Sequence, residues 1–442
     1  MNTTLPTIAV FGASGLIGEA VASQLSREGF PVVPIARRFT RAQKNGFGSA
    51  AVEYPIVALD TDSLCKILSA KMIDIVVNCV GVLQDGPRGS TDAVHRVFVK
   101  RLLASLESIS RPALLIHLSI LGSDRDDRTS FSRTKREAER LIAAGSIPFV
   151  ILRPGFVIAP AAYGGSALMR ALALLPFDLS EREAGQVFAA TDVGDIVRTI
   201  GFAARRWNDG KRDWNEVWDV MARQPATVGD VIAAFRHRLG GGRSFIALPS
   251  WLMGLGARAG DLAAYLGWSP PIRSTALQEM RRGVTGNPET WIAATGMEPA
   301  SLDSTLQRMP ATVQEKWFAR LYLAKPMILT ALVVFWVVSG LIALTVAFDA
   351  ATRILISHGF PPTLAKAVTV VSSVVDISIG LAIAFRGTCR IGLLAGIAVS
   401  LCYMLGAAAL APEIWIEPLG ALVKTGPAIV LMFVALAMLE DR

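Results

Sequence analysis

The sequence predicts an α/β domain built on a doubly wound parallel sheet, followed by an all-α bundle of four transmembrane helices. Two observations carry this. Residues 7–152 alternate short apolar runs with helical stretches, the pattern of a parallel sheet covered on both faces. Residues 326–442 then hold four apolar runs, each long enough to cross a bilayer.

The first element is Thr7–Arg38, TIAVFGASGLIGEAVASQLSREGFPVVPIARR, which reads as strand, glycine turn, helix, strand. Ile8, Ala9, Val10 and Phe11 form a continuous apolar run, as a strand buried on both faces requires. Gly12, Gly15 and Gly18 follow at three-residue spacing. Gly12 permits the tight turn, Gly15 lets backbone approach a pyrophosphate, and Gly18 lets the helix lie close to the sheet. The helix start at Ser14, Gly15, Leu16 and Ile17 presents N–H groups and a positive dipole end to phosphate. This is a dinucleotide-binding pattern, confirmed by strand and helix in their expected places.

Arg37 and Arg38 close the second strand, where an acidic residue would hold the ribose 2′-hydroxyl of NAD. Arginine suits a 2′-phosphate, so NADP(H) is favoured over NAD(H), with ordinary surface charge as the alternative. Pro34 removes a ladder donor, so this strand is expected to be short or irregular.

A third strand is expected over Ala51–Leu59, ending at Asp60, then a helix over Ser63–Ser69. Ile73–Cys79 is a fourth strand, closed by Asn78, Cys79, Val80 and Gly81. Ala93–Ser108 is helical, Ala113–Ser119 a strand, Thr134–Ala143 a helix, and Phe149–Leu152 a strand ending in Arg153, Pro154 and Gly155. A ligand of such a sheet lies at the strands' carboxyl ends.

GASGLIG, Asp60, NCVG, HLSILGS, SRTKREAE, LRPG and TDVGDIVRTI recur in an order that resembles the extended or atypical short-chain dehydrogenase/reductases, over residues 7–310. The nearest branch includes an accessory subunit of respiratory complex I and related quinone-biosynthesis proteins. The resemblance implies that Asp60 contacts adenine and that Asn78, Val80 and Gly81 line the coenzyme. It implies that Lys135 holds the nicotinamide ribose, with Pro154 and Gly155 near the nicotinamide. It also implies a catalytic Ser, Tyr and Lys, the Tyr four residues before the Lys and acidified by it. Ser119 and Lys135 are in place, but the Tyr position is Phe131, which has no proton to give. Ser132 beside it is a poor donor at neutral pH, and Tyr163 is the other candidate. Ser119 and Ser132 also read as a strand-end hydrogen-bonder and a helix cap. Hydride transfer to a quinone or flavin does not require the Tyr, and coenzyme binding without turnover is equally open.

Residues 1–155 are thus expected to be the dinucleotide domain, 156–310 its substrate side, 311–325 a juxtamembrane connection and 326–442 the membrane domain. On the substrate side, Tyr163–Gly165 and Leu172–Leu175 border the pocket. Asp192–Ala203 and Thr227–Leu239 are helices with capping starts, and Val217–Met221 is a strand. Phe245–Trp268 is apolar apart from Arg258 and Asp261, and reads either as a pocket wall or as an in-plane helix feeding a lipid-like substrate. Pro270–Ala311 reads as a polar connection with a turn at Gly286, Asn287 and Pro288.

The four spans are Met327–Phe348, Leu364–Phe385, Ile391–Ala411 and Leu419–Leu439. Lys316, Arg320, Lys325, Arg386, Arg390 and Arg442 fall on one side, which the positive-inside rule makes cytoplasmic, with the dinucleotide domain and the C-terminus. The expected location is an inner or plasma membrane. Asp376 and Lys424 fall inside spans, costing about 2.5–3.5 kcal/mol each, so they are expected to pair, to serve a proton or quinone site, or, for Lys424, to snorkel. Trp336 and Trp415 read as interface residues without a special role. Span number, spacing and Asp376 resemble the DoxX-like family over residues 326–440.

The net charge is +8. Residues 326–442 carry six basic and six acidic residues, so that charge belongs to residues 1–325 and is drawn to anionic headgroups. No basic stripe with interleaved aromatics is present, which excludes nucleic acid. Cys65, Cys79, Cys389 and Cys402 form no CxxC pair, so neither a metal site nor a disulfide framework is indicated. Met1–Thr7 is short and uncharged and runs into the first strand, so no signal peptide is expected. The expected partners are the bilayer, a quinone or other lipophilic molecule, and a membrane complex or second copy.

Overall fold

The computed structural model describes residues 5–86, 89–243, 246–416, 420 and 422–439. They divide into two compact units, Met1–Asp261 with Pro270–Ala319, and Leu262–Ser269 with Arg320–Arg442.

In the first unit seven strands form one parallel sheet. They are β1 (Ile8–Phe11), β2 (Val32–Ala36), β3 (Val52–Glu53), β4 (Ile75–Asn78), β5 (Leu114–Leu118), β6 (Phe149–Pro154) and β7 (Asn215–Val220). Their order is β7-β6-β5-β4-β1-β2-β3. β1, β4 and β5 are buried throughout, as their runs of Ile, Val, Leu and Phe require. On one face α1 (Leu16–Arg27) and a helix over Val193–Asn208 press Val21, Leu25, Ile196 and Ile200 against Ile8, Val10 and Val77. On the other, α2 (Thr61–Ala70), α3 (Phe98–Ser108) and α4 (Ser130–Ala143) press Leu64, Leu68, Phe98 and Ile142 against Ala9, Phe11 and Val76.

Several expectations are corrected. Pro34 does not disturb β2, because β2 pairs with β3 only from Ile35 onward and no neighbour needs the missing N–H. The third strand shrinks to two residues, since Pro55 ends the pairing and Ile56–Ala58 turns as a 3-10 helix. The helix over Ala93–Ser108 opens with a π-helical turn at Ala93–Val97. α4 begins earlier than expected, at Ser130, because Thr129 Oγ1 accepts from Ser132 N at 3.1 Å and caps it. Pro270–Ala311 is not a plain connection. It carries helices at Ser274–Arg282, Glu289–Thr295 and Leu302–Gln307, anchored by buried Leu277, Trp291 and Leu306. Trp291 Nε1 donates to Thr199 Oγ1 at 3.0 Å.

In the second unit, Ala324–Leu344, Pro362–Ala384 and Cys389–Leu410 are long and apolar enough to span a membrane. Thr425–Ala437 is apolar but only 13 residues long, shorter than the expected fourth span, and Leu419 and Ala421 lie outside the described residues. The loop expected over Asp349–Thr363 contains a helix, Phe348–Ser357. Glycines close the helix seams. A Cβ on Gly340 would lie 2.6 Å from Ser373 O, and one on Gly380 3.0 Å from Val337 N. Trp336 is not an interface residue: it is buried in the bundle core with Ile379 and Met432. Asp376 accepts from Tyr403 Oη at 2.9 Å instead of meeting Lys424, which stands at the N-terminus of Thr425–Ala437.

The seam sets a stability test. Gly340→Ala and Gly380→Ala should each cost about 1–3 kcal/mol through overpacking. Gly387→Ala, with nothing within 4 Å of its Cβ, should be neutral. Thermal unfolding of the purified protein in detergent would show the difference.

Candidate functional site

The sheet sends β2 to one side of β1 and β4 to the other, so a crevice opens at the carboxyl ends of β1 and β4. Gly12 leaves β1 at φ +80°, and a Cβ there would lie 3.0 Å from the Cys79 carbonyl. Gly12 and Ala13 both donate to Ile35 O, at 2.9 and 3.1 Å, and Gly15 N donates back to Gly12 O at 2.9 Å. A Cβ on Gly18 would lie 2.3 Å from Gly12 O, so the turn and the helix tolerate only glycine there. α1 opens at Gly15 without a side-chain cap, which leaves its first N–H groups, at Leu16 and Ile17, available to a phosphate. Bare backbone and an uncapped helix start fit the pyrophosphate of a dinucleotide. Ser14 lies in the same turn and its carbonyl accepts from Gln43 Nε2 at 3.2 Å.

Arg37 and Arg38 are exposed directly after β2, next to this turn. Asp60 is exposed and caps α2, its carboxylate accepting from Ser63 N at 2.8 Å; these bonds from Ser63 hold its carboxyl below the usual range. The helix cap by itself accounts for its place.

Beside the crevice, Asn78 Oδ1 accepts from Val80 N at 3.1 Å, and Asn78 Nδ2 lies 3.1 Å from His117 Nδ1. Asn78 thus shapes the turn into Val80 and Gly81. Lys135 is buried below it, its Nζ donating to Leu118 O at 2.8 Å, and a Cβ on Gly81 would lie 3.5 Å from that Nζ. Burial pulls Lys135 down to about 8, with Cys79 and Glu139 opposing. Burial pushes the Cys79 thiol up to about 12, so it is not a thiolate nucleophile.

His95 and His117 both face Lys135. Burial and then Lys135 hold His95 neutral, down to about 2. His95 Nε2 accepts from Val82 N at 3.2 Å, so Nδ1 carries the proton and donates to Thr134 Oγ1 at 2.8 Å. Burial likewise keeps His117 neutral. Its Nε2 is buried with no hydrogen-bond partner among the described residues.

Phe131 stands one helical turn before Lys135, its ring edge-on to His95 at 5.5 Å between centroids. Ser132 is fully buried and its hydroxyl closes the capping box with Thr129, so it is committed to the helix. Ser119 N donates to Leu152 O at 2.8 Å, and Ser119 Oγ is buried beside Glu139 without closing a full hydrogen bond. Tyr163 opens the helix Gly164–Leu174 with its ring exposed. Pro154 ends β6 opposite Val220, and a Cβ on Gly155 would lie 2.2 Å from Ala189 O. Gly155 is thus required by a close backbone pass.

Glu139 underlies the whole group and was missed from sequence because its partner Arg153 comes from another segment. It accepts from Arg153 at 2.8 and 2.6 Å and from Arg136 at 2.8 Å. Burial opposes its charge, but Arg153, Ser119 and Arg136 hold its carboxyl below the usual value. Among the described residues no three His, Cys, Asp or Glu side chains are placed to hold a metal ion.

With this geometry in view, residues 8–215 match the NAD dependent epimerase/dehydratase family and residues 333–433 match the DoxX-like family. The chain joins an epimerase-type short-chain dehydrogenase domain to a DoxX-like membrane domain. The dehydrogenase domain is 25% identical over 185 residues to dTDP-6-deoxy-L-talose 4-dehydrogenase (NAD(P)(+)) of Kitasatospora kifunensis, 38% of this chain and 57% of that protein. The match therefore spans little more than half of that relative. In fold it is similar to the UDP-glucuronic acid 4-epimerase of Bacillus cereus, with a TM-score of 0.51, 17% identity, and 72% of this chain covering 100% of that one. It is also similar to the UDP-glucose 4-epimerase of Thermotoga maritima, with a TM-score of 0.53, 16% identity, and 70% of this chain covering 98% of that one.

A ribose contact at Lys135 would make coenzyme affinity depend on pH. The ammonium, not the amine, donates fully to ribose hydroxyls, so NAD(P)H affinity should fall as pH rises through about 8. Lys135→Met should bind about tenfold more weakly at pH 7, one charged hydrogen bond being worth about 1.5–3 kcal/mol, and should lose the pH dependence. Calorimetric titration across pH 6–10 checks both. A second test concerns the network: Glu139→Ala takes the carboxylate from Arg153 and leaves Arg136 with Asp127 alone, and should cost about 3 kcal/mol in urea unfolding. Because the folded carboxyl is held low, the stability it contributes is present at neutral pH and is lost as pH falls below the ordinary carboxylate range.

Proposed function

We propose that this protein is a membrane-anchored oxidoreductase that passes hydride between NADP(H) and a lipophilic, quinone-like acceptor. One observation carries the reading: the coenzyme cradle and Lys135 are complete, while the proton-donor position is Phe131 packed on a neutral His95. Both His95 nitrogens are engaged, so it does not replace the tyrosine. A carbonyl reduction needs an acid at that point, whereas a quinone accepts hydride and takes its proton from water. The bound coenzyme supplies or accepts the hydride. The protein supplies the phosphate cradle at Gly12–Gly18 and the ribose contact at Lys135, with the half-buried Phe131 beside them. Arg37 and Arg38 favour the 2′-phosphate. The relative from K. kifunensis is named for use of NAD(P)(+), in keeping with either coenzyme. A tyrosine-to-phenylalanine variant of the B. cereus epimerase was solved with NAD and a fluorinated UDP-sugar. Coenzyme binding thus tolerates such a change on this fold.

The same Phe131 favours a second reading, a coenzyme-binding accessory or sensing protein of a membrane complex that does not turn over. We place the dehydrogenase domain on the cytoplasmic side, on the charge asymmetry of the loops.

In lipid nanodiscs, NADPH oxidation should depend on added quinone, and Arg37→Ala with Arg38→Ala should lower the preference for NADPH over NADH about tenfold or more. Tight NADPH binding with no oxidation by any quinone or flavin acceptor would decide for the second reading.

A further inference from the structure

We infer that the helix Ser250–Tyr265 lies in the plane of the membrane interface, its outer face embedded at the headgroup–acyl boundary of the bilayer that the C-terminal helices cross. The helix has two sharply different sides. Met253, Ala257, Gly260 and Ala264, at spacings of four, three and four, are buried. Gly260 fits so tightly that a Cβ would lie 1.9 Å from Ile272 O. The opposite stripe runs Trp251, Leu255, Arg258, Leu262 and Tyr265. Its four apolar members are 68%, 54%, 65% and 75% exposed. An ordinary surface helix turns charge outward; this one turns out two aromatics, three leucines with Leu252 included, and one arginine. That composition, with aromatics and a basic residue, is the one that lies in an interface.

What covers the face follows from where the helix leads. Leu262–Ser269 belong to the membrane unit. There Trp268 Nε1 donates to Ala384 O at 2.8 Å, and Arg386 N donates to Leu266 O at 2.9 Å, both at the end of the span Pro362–Ala384. The second crossing into that unit repeats the pattern. Helix Val313–Tyr322 exposes Val313, Trp317 and Leu321 at four-residue spacing beside Lys316 and Arg320, and runs on to the first span. Both crossings thus turn aromatic and aliphatic side chains outward beside a basic residue, matching a membrane interface.

The buried side of the first helix reaches the site. Asp261 Oδ1 accepts from Gln84 Nε2 at 2.8 Å and from Arg273 Nε at 3.2 Å. Gln84 lies three residues beyond Gly81. The lipid-facing helix is therefore tied to the loop that borders Lys135.

The test is photo-cross-linking of the full-length protein in nanodiscs containing anionic lipid. Benzoylphenylalanine is placed singly at Leu255, Leu262 or Trp317, with Val334 in the first span as a lipid-facing control and Arg27 in α1 as an aqueous one. Lipid adducts at Leu255, Leu262 and Trp317 comparable with Val334, and none at Arg27, are expected by mass spectrometry. Water-quenched label at these positions while Val334 captures lipid would overturn the inference, as would capture of a second copy of the chain. No turnover is needed, so this outcome is separate from that of the hydride-transfer reading.

Discussion

The site depends on one close approach, the Gly12 turn seated against the Cys79 carbonyl where β1 and β4 end side by side. A Cβ on Gly12 or Gly18 would force these backbones apart, so the glycines set the spacing from which all else is measured. Asn78, locked to Val80 N and His117, continues the same edge toward Gly81. Gly81 in turn passes the Lys135 ammonium, its Cβ position 3.5 Å from Nζ. Coenzyme cradle and lysine are thus one backbone construction.

What is missing from that construction is as informative as what is present. Around Lys135 stand Phe131, two neutral histidines and a protonated thiol, none of them a proton donor of suitable strength near neutral pH. Glu139, a nearby carboxylate, is engaged by Arg153 and Arg136. The chemistry favoured by such a site is hydride movement without a tyrosine acid, with the Lys135 ammonium as the nearby proton source, or binding alone. An apolar membrane domain on the same chain agrees with an acceptor that dissolves in lipid.

The cradle was legible in the sequence because its signals are local: Gly12, Gly15 and Gly18 lie within seven residues, and Phe131 and Lys135 one turn apart. Asp192 and Thr227 were read as caps for the same reason, and both accept from backbone N–H groups two or three residues on. The rest is made by distant pairing. His95 reaches Thr134 across 39 residues, and Arg153 reaches Glu139 from a neighbouring strand. No periodicity marks such partners. Pro270–Ala311 misled because short helices hide one anchor each, Trp291 above all, under a polar surface. Trp336 misled because its place in an apolar run does not tell a lipid-facing ring from one packed against Gly380 and Gly396.

The most direct measurement of the central claim, an intact coenzyme site lacking its acid, is a nicotinamide-fluorescence titration of the detergent-solubilised full-length protein with NADPH, alongside Gly15→Val. The account predicts saturable binding with a Kd on the order of micromolar, abolished in Gly15→Val while that variant keeps its unfolding temperature. Absence of binding by the unaltered protein, or equal binding by Gly15→Val, would contradict it.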